Sequence, residues 1–452
     1  MSYRNYEAVN CKELDVEALG EKVKGKWTIV SVDDAKGMPY GSIYTVNRQA
    51  SRPEEMLEQH RVFRWRRPWQ EARVIEMLKS WQTEQLQVVL EPSGSYAAGF
   101  IERIQRAEGL ELRQMRGKKT RDSKENYDNV PSMHDSKATD VMARIHMGGG
   151  SSAWRPRPKR QQNLKAAAKR VGRLKKQRNE ERQRMEAELG AYWPELLGQL
   201  SPKSTTALKL LLEFGTPRQV AERPEAARAL IARVSRQRIG PAKRRAIVEG
   251  ARQSGGAEPC QEIIVYIQEI AERLLELKTK VRKVRRRIAQ LIEEDEVAER
   301  MAQLVGPAAT ASLLGEVGDP TDFEVAAAYE KAAGLNLVED TSGRQGQHDP
   351  EDETPPMHIS KRGSSRVRKY LFLAAQRHIR RCPIAQAWYQ HKVDQHRGCR
   401  RPEKIALVAI MRKLSRALYH IGRGADYDGS KLFDVERLVN KGYLPDEYLP
   451  EQ

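Results

Sequence analysis

The residues best suited to chemistry on a phosphate lie toward the C-terminal end. There Gly334-Leu335-Asn336-Leu337-Val338-Glu339-Asp340 leads into Thr341-Ser342-Gly343, and a cationic stretch follows. A serine hydroxyl is a weak nucleophile at neutral pH, so it needs a base or a metal to activate it and positive charge to hold a phosphate in line. Gly343 and Gly346 let the backbone approach a phosphate closely. Lys361, Arg362, Arg366, Arg368 and Lys369 supply the charge, at the start of a helix expected from about Arg366 to Arg381. A surface loop followed by a solvated basic helix would give the same pattern, since Ser-Gly is a common turn pair.

A second set of reactive types is acidic. Trp27-Thr28-Ile29-Val30-Ser31-Val32 reads as a buried strand ending at Asp33-Asp34, and Gln87-Val88-Val89-Leu90 as another ending at Glu91. Further strands are expected over Tyr40–Val46 and Leu110–Met115, with helices near Glu71–Trp81 and Gly99–Glu108. Strands alternating with helices predict an α/β domain, in which functional groups gather outside the carboxyl ends of strands. Asp33 and Glu91 are placed to share such a site, and only one of Asp33 and Asp34 can face it. Asp135 follows near the start of a predicted helix. Converging carboxylates suit Mg²⁺, which takes few protein oxygens and keeps positions for phosphate and water. Capping a neighbouring helix is the alternative role for each acid.

The elements that must position these groups fall into five parts: an arm over residues 1–26, an α/β domain over 27–155, a stalk over 156–300, a helical region over 301–422 and a poorly packed tail over 423–452. Gly148-Gly149-Gly150-Ser151-Ser152 marks the end of the α/β domain. In the stalk, Ile263, Ile267, Ile270, Leu274, Leu277, Val281, Val284, Ile288 and Leu291 keep a four-three spacing that specifies a coiled-coil seam. The seam can pair within the chain, with a second protomer, or both. Between the stalk helices lies a helical insert over about 193–257, expected to be broken at Pro202, Pro217, Pro224 and Pro241. After the stalk, Leu304-Val305-Gly306-Pro307 marks a turn between two helices, whose second N-terminus could meet a phosphate. A last apolar helix carries Arg412 and Lys413.

Composition narrows the partners. The chain has 452 residues and a formal charge of +19, with Lys and Arg spread along its length, which suits a long nucleic-acid footprint better than a membrane patch. With no apolar run of about 18 residues and no apolar core near the N-terminus, a soluble, cytoplasmic and nucleoid-associated protein is expected. Cys11, Cys260, Cys382 and Cys399 form no metal-binding pair and read as reduced thiols.

These motifs, taken in order, resemble the DEDD-and-serine transposases of bacterial insertion sequences, the one-ten family and more closely its eleven-eleven subgroup, which includes bridge-RNA-guided recombinases. Ser31-Val32-Asp33-Asp34-Ala35-Lys36, Leu90-Glu91-Pro92-Ser93-Gly94-Ser95-Tyr96 and His134-Asp135-Ser136-Lys137 carry the resemblance at one end. At the other, Leu304-Val305-Gly306-Pro307, Thr341-Ser342-Gly343, Ile359-Ser360-Lys361-Arg362-Gly363 and Val408-Ala409-Ile410-Met411-Arg412-Lys413-Leu414 carry it. The resemblance implies a RuvC-like, RNase H-type domain with Asp33, Glu91 and Asp135 holding Mg²⁺ (or Mn²⁺), and Ser342 attacking DNA to form a phosphoserine link. It also implies a structured guide RNA and homo-oligomers, dimeric or tetrameric in synapsis.

The sequence departs from the family at the fourth carboxylate. Three residues after Asp135 stands Ala138, and the nearest acid is Asp140. On a helix a five-residue step turns about 140° from the starting face, so Asp140 joins the metal set only if the helix starts late or is irregular. Two other readings use the same residues: a metal-dependent, junction-type nuclease in which Ser342 is a bystander, and an inactive relative that only binds nucleic acid.

Overall fold

The computed structural model describes residues 7–52, 55–91, 96–115, 120, 123, 134–339 and 357–449, which divide into two units, Met1–Pro156 and Arg157–Gln452. The first is a mixed α/β sheet domain and the second is mostly helical.

The first unit is built on a seven-stranded sheet in the order β1-β4-β3-β2-β5-β6-β7. Its strands are β1 (Val9–Asn10), β2 (Trp27–Asp33), β3 (Tyr40–Val46), β4 (Leu57–Arg64), β5 (Gln85–Glu91), β6 (Leu110–Gln114) and β7 (Ser152–Ala153). Strands β2, β5 and β6 run parallel, whereas β3 is antiparallel to both β2 and β4. The central strands β2, β3 and β5 are buried over all but their end residues because both faces are covered. Val30, Val32, Val88 and Leu90 pack in one core with residues of α1 (Val16–Val23), α2 (Glu71–Ser80) and α3 (Ala98–Arg106). Ile29, Tyr44 and Val89 pack on the other face with Met142 and Ala143 of α4 (Asp135–Met147).

Two expectations change here. Residues 9–23, read as part of an arm, belong to the domain: β1 pairs with β4, and Cys11, Leu14, Leu19 and Val23 are buried in its core. Strand β4 went unread because Glu58, Gln59, Arg61 and Arg64 project into solvent and mask Leu57, Val62 and Phe63, which alone are buried.

The second unit opens with the long helix α5 (Lys159–Tyr192) and returns along α11 (Gln261–Glu293). Leu164, Ala168, Val171 and Leu174 share a core with Leu277, Val281, Val284, Ile288 and Leu291, so the four-three seam is closed within one chain. Between the two helices lies a head of α6 (Pro194–Gln199), α7 (Thr205–Phe214), α8 (Pro217–Glu222), α9 (Pro224–Ser235) and α10 (Pro241–Arg252). At Pro217, Pro224 and Pro241 one helix has ended and the proline starts the next. Proline lacks the N–H that a first turn leaves unbonded, and its fixed φ suits that position.

Beyond the stalk come α12 (Glu296–Val305), α13 (Pro307–Glu316), α14 (Ala326–Ala332), the ribbon of β8 (Leu337–Glu339) with β9 (Met357–Ile359), α15 (Ser365–Ile379), α16 (Pro383–Gln395) and α17 (Pro402–Gly422). The tail also differs from expectation. It forms α18 (Gly429–Leu432) and α19 (Val435–Asn440), and Phe433, Val435, Leu438 and Leu444 are buried. Phe433 anchors it against the rings of His378 and Trp388.

Candidate active site

Asp33 and Glu91 end adjacent parallel strands and are register partners. Alternation along each strand puts Asp33 on the face of Ile29 and Ser31, and Glu91 on that of Gln87 and Val89. Helix α4 covers this face. The Thr139 hydroxyl donates to its own helix at Ser136 O (2.7 Å) and accepts from Ser42 Oγ at 2.6 Å. Further along, His146 Nε2 donates to Gln87 Oε1 at 2.8 Å. Asp34 turns to the opposite side, where it is buried and ion-paired with Arg67, which also pairs with Glu71 at 2.7 Å. Burial pushes the Glu71 carboxyl up, against the pull of Arg67 and Arg103.

Asp135 is the first residue of α4, with His134 as N-cap accepting from Lys137 N. It lies four residues, about 40° of rotation, from Thr139 and so on the same helix face. It is also one turn nearer the strand ends, since Thr139 meets Ser42 and Ser42 pairs with Ser31, two residues short of Asp33. Asp140 is placed elsewhere. It accepts from the Tyr44 hydroxyl at 3.0 Å and lies 3.7 Å from Arg144. Tyr44 pairs with Ile29, about 13 Å along the strand from Asp33. Burial and the Asp140 charge both push the Tyr44 hydroxyl well up from its ordinary range.

Among the described residues no three His, Cys, Asp or Glu side chains gather into a group that could hold a metal ion. The Asp33–Glu91 pair still fits Mg²⁺, which needs one or two carboxylates and completes its shell with water and phosphate oxygens. The set of four carboxylates is not brought together.

Ser342 lies outside the described residues, but the chain on either side is tied down. Glu339 and Met357 are register partners, so the described chain ends on either side of residues 340–356 lie next to each other. Ser360 N donates to Asn336 O at 2.9 Å, and Ser360 Oγ meets Asn336 Oδ1 at 2.5 Å. Two glycines let the backbones cross. A Cβ on Gly334 would sit 2.8 Å from Arg362 O, and one on Gly363 would sit 2.9 Å from Ala332 O. Both have positive φ, and so does Lys361, at 53°.

The cations proposed for nucleic acid divide into two kinds. Lys361, Arg362 and Lys369 are exposed. The others have partners within the protein. Arg366 pairs with Glu316, and Arg368 donates to Gly363 O at 3.0 Å. Arg412 and Arg416 each lie 2.6 Å from the buried Glu330 carboxylate. Lys413 donates to Leu432 O at 2.6 Å, over the rings of Trp388 and Phe433, and burial with the nearby Arg416 pushes its pKa down. Sequence reasoning missed Arg377, which donates to Val305 O beside the Gly306 turn, and Asn336, whose contact with Ser360 has no signal in the sequence.

Residues 303–390 match the model of the IS116/IS110/IS902 transposase family. The matched stretch runs from the end of α12 into α16 and encloses Ser342 with both of its anchored flanks. It supports a transposase or recombinase role, and with it an interaction with DNA. No curated protein matches the chain. Among the described residues no helix is long and apolar enough to cross a membrane.

Proposed function

We propose that this protein is an insertion-sequence recombinase that cuts and rejoins DNA through Ser342, with Mg²⁺ assistance and an element-encoded guide RNA selecting the sites. The observation that carries the reading is the family match across residues 303–390, which contains this serine. The crossing at Gly334 and Gly363 supports it, because a nucleophile must be held in a repeatable position. In the first unit, the mixed sheet with Asp33 and Glu91 at adjacent strand ends supports an RNase H-type domain.

Ser342 Oγ would attack a backbone phosphorus. An Oγ–P bond forms as one P–O bond of the DNA breaks, and the released strand end keeps a hydroxyl. Religation is the reverse step at a new strand end, with the exposed Lys361, Arg362 and Lys369 offsetting phosphate charge. Asp33 and Glu91 would hold the metal ion, with Asp135 as a further candidate ligand, and its contribution would be Lewis acidity at the phosphate. Dimers and tetramers in synapsis belong to the same reading. Because the stalk seam is used within the chain, subunit contacts would draw on other surfaces.

The deciding experiment compares wild type with Ser342→Ala on labelled DNA carrying the element ends. The variant should lose the covalent protein–DNA adduct and strand transfer by roughly 10³-fold or more while binding DNA as before. Strand transfer at the wild-type rate would remove Ser342 from the mechanism.

A further inference from the structure

A cleft of about 560 Å³ opens in the second unit where the stalk meets the C-terminal helices. Its charged lining residues are Lys175 from α5, Arg285 from α11, Arg377 from α15 and Arg380 at the C-cap of α15; no Asp or Glu among the described residues lines it. Arg178 and Lys369 stand beside Lys175, near enough that, after burial, they and Arg285 push its ammonium pKa down. Helical spacing explains the convergence. Lys175 and Arg178 are three residues apart on α5, and Arg377 of α15 is three residues from its C-cap Arg380, which keeps helical backbone angles, so each pair shares a helix face.

Part of the stalk's charge is neutralised within the fold, and what marks this cluster is that its cations converge from three helices on one cleft. Arg182 pairs with Glu186, Lys280 with Glu276 and Arg287 with Glu294. None of the six cations at the cleft pairs with a carboxylate among the described residues. Arg377 donates to a neutral carbonyl, at Val305. Like charges crowded without counter-charge are mutually repulsive, and a bound polyanion is the partner that relieves the repulsion. Tyr370, half-buried with the Lys175 ammonium 5.5 Å from its ring centre, and the exposed Leu373 give the cleft a partly apolar floor.

We propose that this cleft is a phosphate-backbone site that seats a nucleic-acid strand across the stalk and α15. It uses the nucleic-acid partner of the recombinase reading but none of its chemistry. Contacts to phosphate from three helices position a strand without reading its sequence, so the site sets register rather than specificity.

The test measures binding of the full-length protein across a range of salt concentrations, with Lys175→Gln/Arg285→Gln/Arg380→Gln against wild type. Arg377 is left in place because it holds the Val305 carbonyl. A control triple, Arg182→Gln/Lys280→Gln/Arg287→Gln, removes the same charge from paired positions. The probes are a DNA duplex, a DNA single strand and a folded RNA, each in two unrelated sequences. For the probe that occupies the cleft, the slope of log affinity against log salt should become shallower by about 2–3 in the cleft variant, equally for both sequences and with the control unchanged. A wild-type slope on all three probes, or the same change in the control, overturns the proposal. The double variant Arg285→Gln/Arg380→Gln spares the Lys175–Tyr370 contact, and if the triple variant misfolds it should still show about two-thirds of the slope change. Repeating the measurement on Ser342→Ala separates the two readings, since a binding site keeps its slope whether or not the serine reacts.

Discussion

Single residues in the first unit show how burial selects a protonation state. His146 is buried with Nε2 donating to Gln87 Oε1 and Nδ1 2.6 Å from Ser151 Oγ, an arrangement that suits the neutral ring. Burial, then the Arg113 charge, lowers its pKa to about 4, whereas an unfolded histidine titrates near 6.5. Between those values the unfolded chain takes up a proton that the folded one refuses. This group's contribution is therefore full above about pH 6.5, declines as pH falls, and levels off below about 4, a loss of up to about 3 kcal/mol. Unfolding free energies at pH 7 and pH 4.5 should show wild type losing about 2 kcal/mol more than His146→Gln. Equal losses would mean that the network around Gln87 accommodates the charged ring.

At the scale of elements, the second unit depends on close helix crossings. Near the end of α13, Gly315 lies against α5 so closely that a Cβ would stand 2.7 Å from the Lys165 Cα and N atoms. Backbone cannot yield as a flexible side chain can, so Gly315→Ala should push the helices apart and destabilise the unit by about 1–3 kcal/mol. A denaturant midpoint equal to wild type would show that the crossing relaxes freely. The same helix carries Glu316, whose pairing with Arg366 ties α13 to the start of α15. The crossing thus helps hold the basic stretch that follows Ser342 in sequence.

For the whole molecule, the excess of cations is not evenly available. Many are spent internally, as with the arginine pair on Glu330, while those at the stalk cleft, and Lys361 and Arg362, have no carboxylate partner among the described residues. If the proposed RNA guidance holds, the RNA should be held through specific structure as well as charge. When the protein is purified from cells that carry its flanking DNA, one discrete structured RNA should come with it and survive a wash of about 0.5 M salt, where non-specific phosphate binding is largely lost. A heterogeneous mixture that salt disperses would remove guidance from the proposed function.

The sequence by itself determined the elements with strong periodicity. Strands β2 and β5 and the stalk seam are legible because burial on both faces, or on one helical stripe, leaves a pattern in residue type. It also placed Asp33, Glu91 and Asp135 at element ends, and it brought out the stretch around Ser342. Tertiary structure decided what depends on neighbours distant in the chain. The choice of Asp33 over Asp34 for the face under α4 rests on Arg67 holding Asp34 on the other side. Asp140 was separated from the strand ends by the Tyr44 hydroxyl, a contact that no local spacing encodes. The seam's partner proved to be the same chain because the head between α5 and α11 turns the second helix back along the first. Which basic residues are spent in the fold and which remain for a partner depended in the same way on where the carboxylates came to rest.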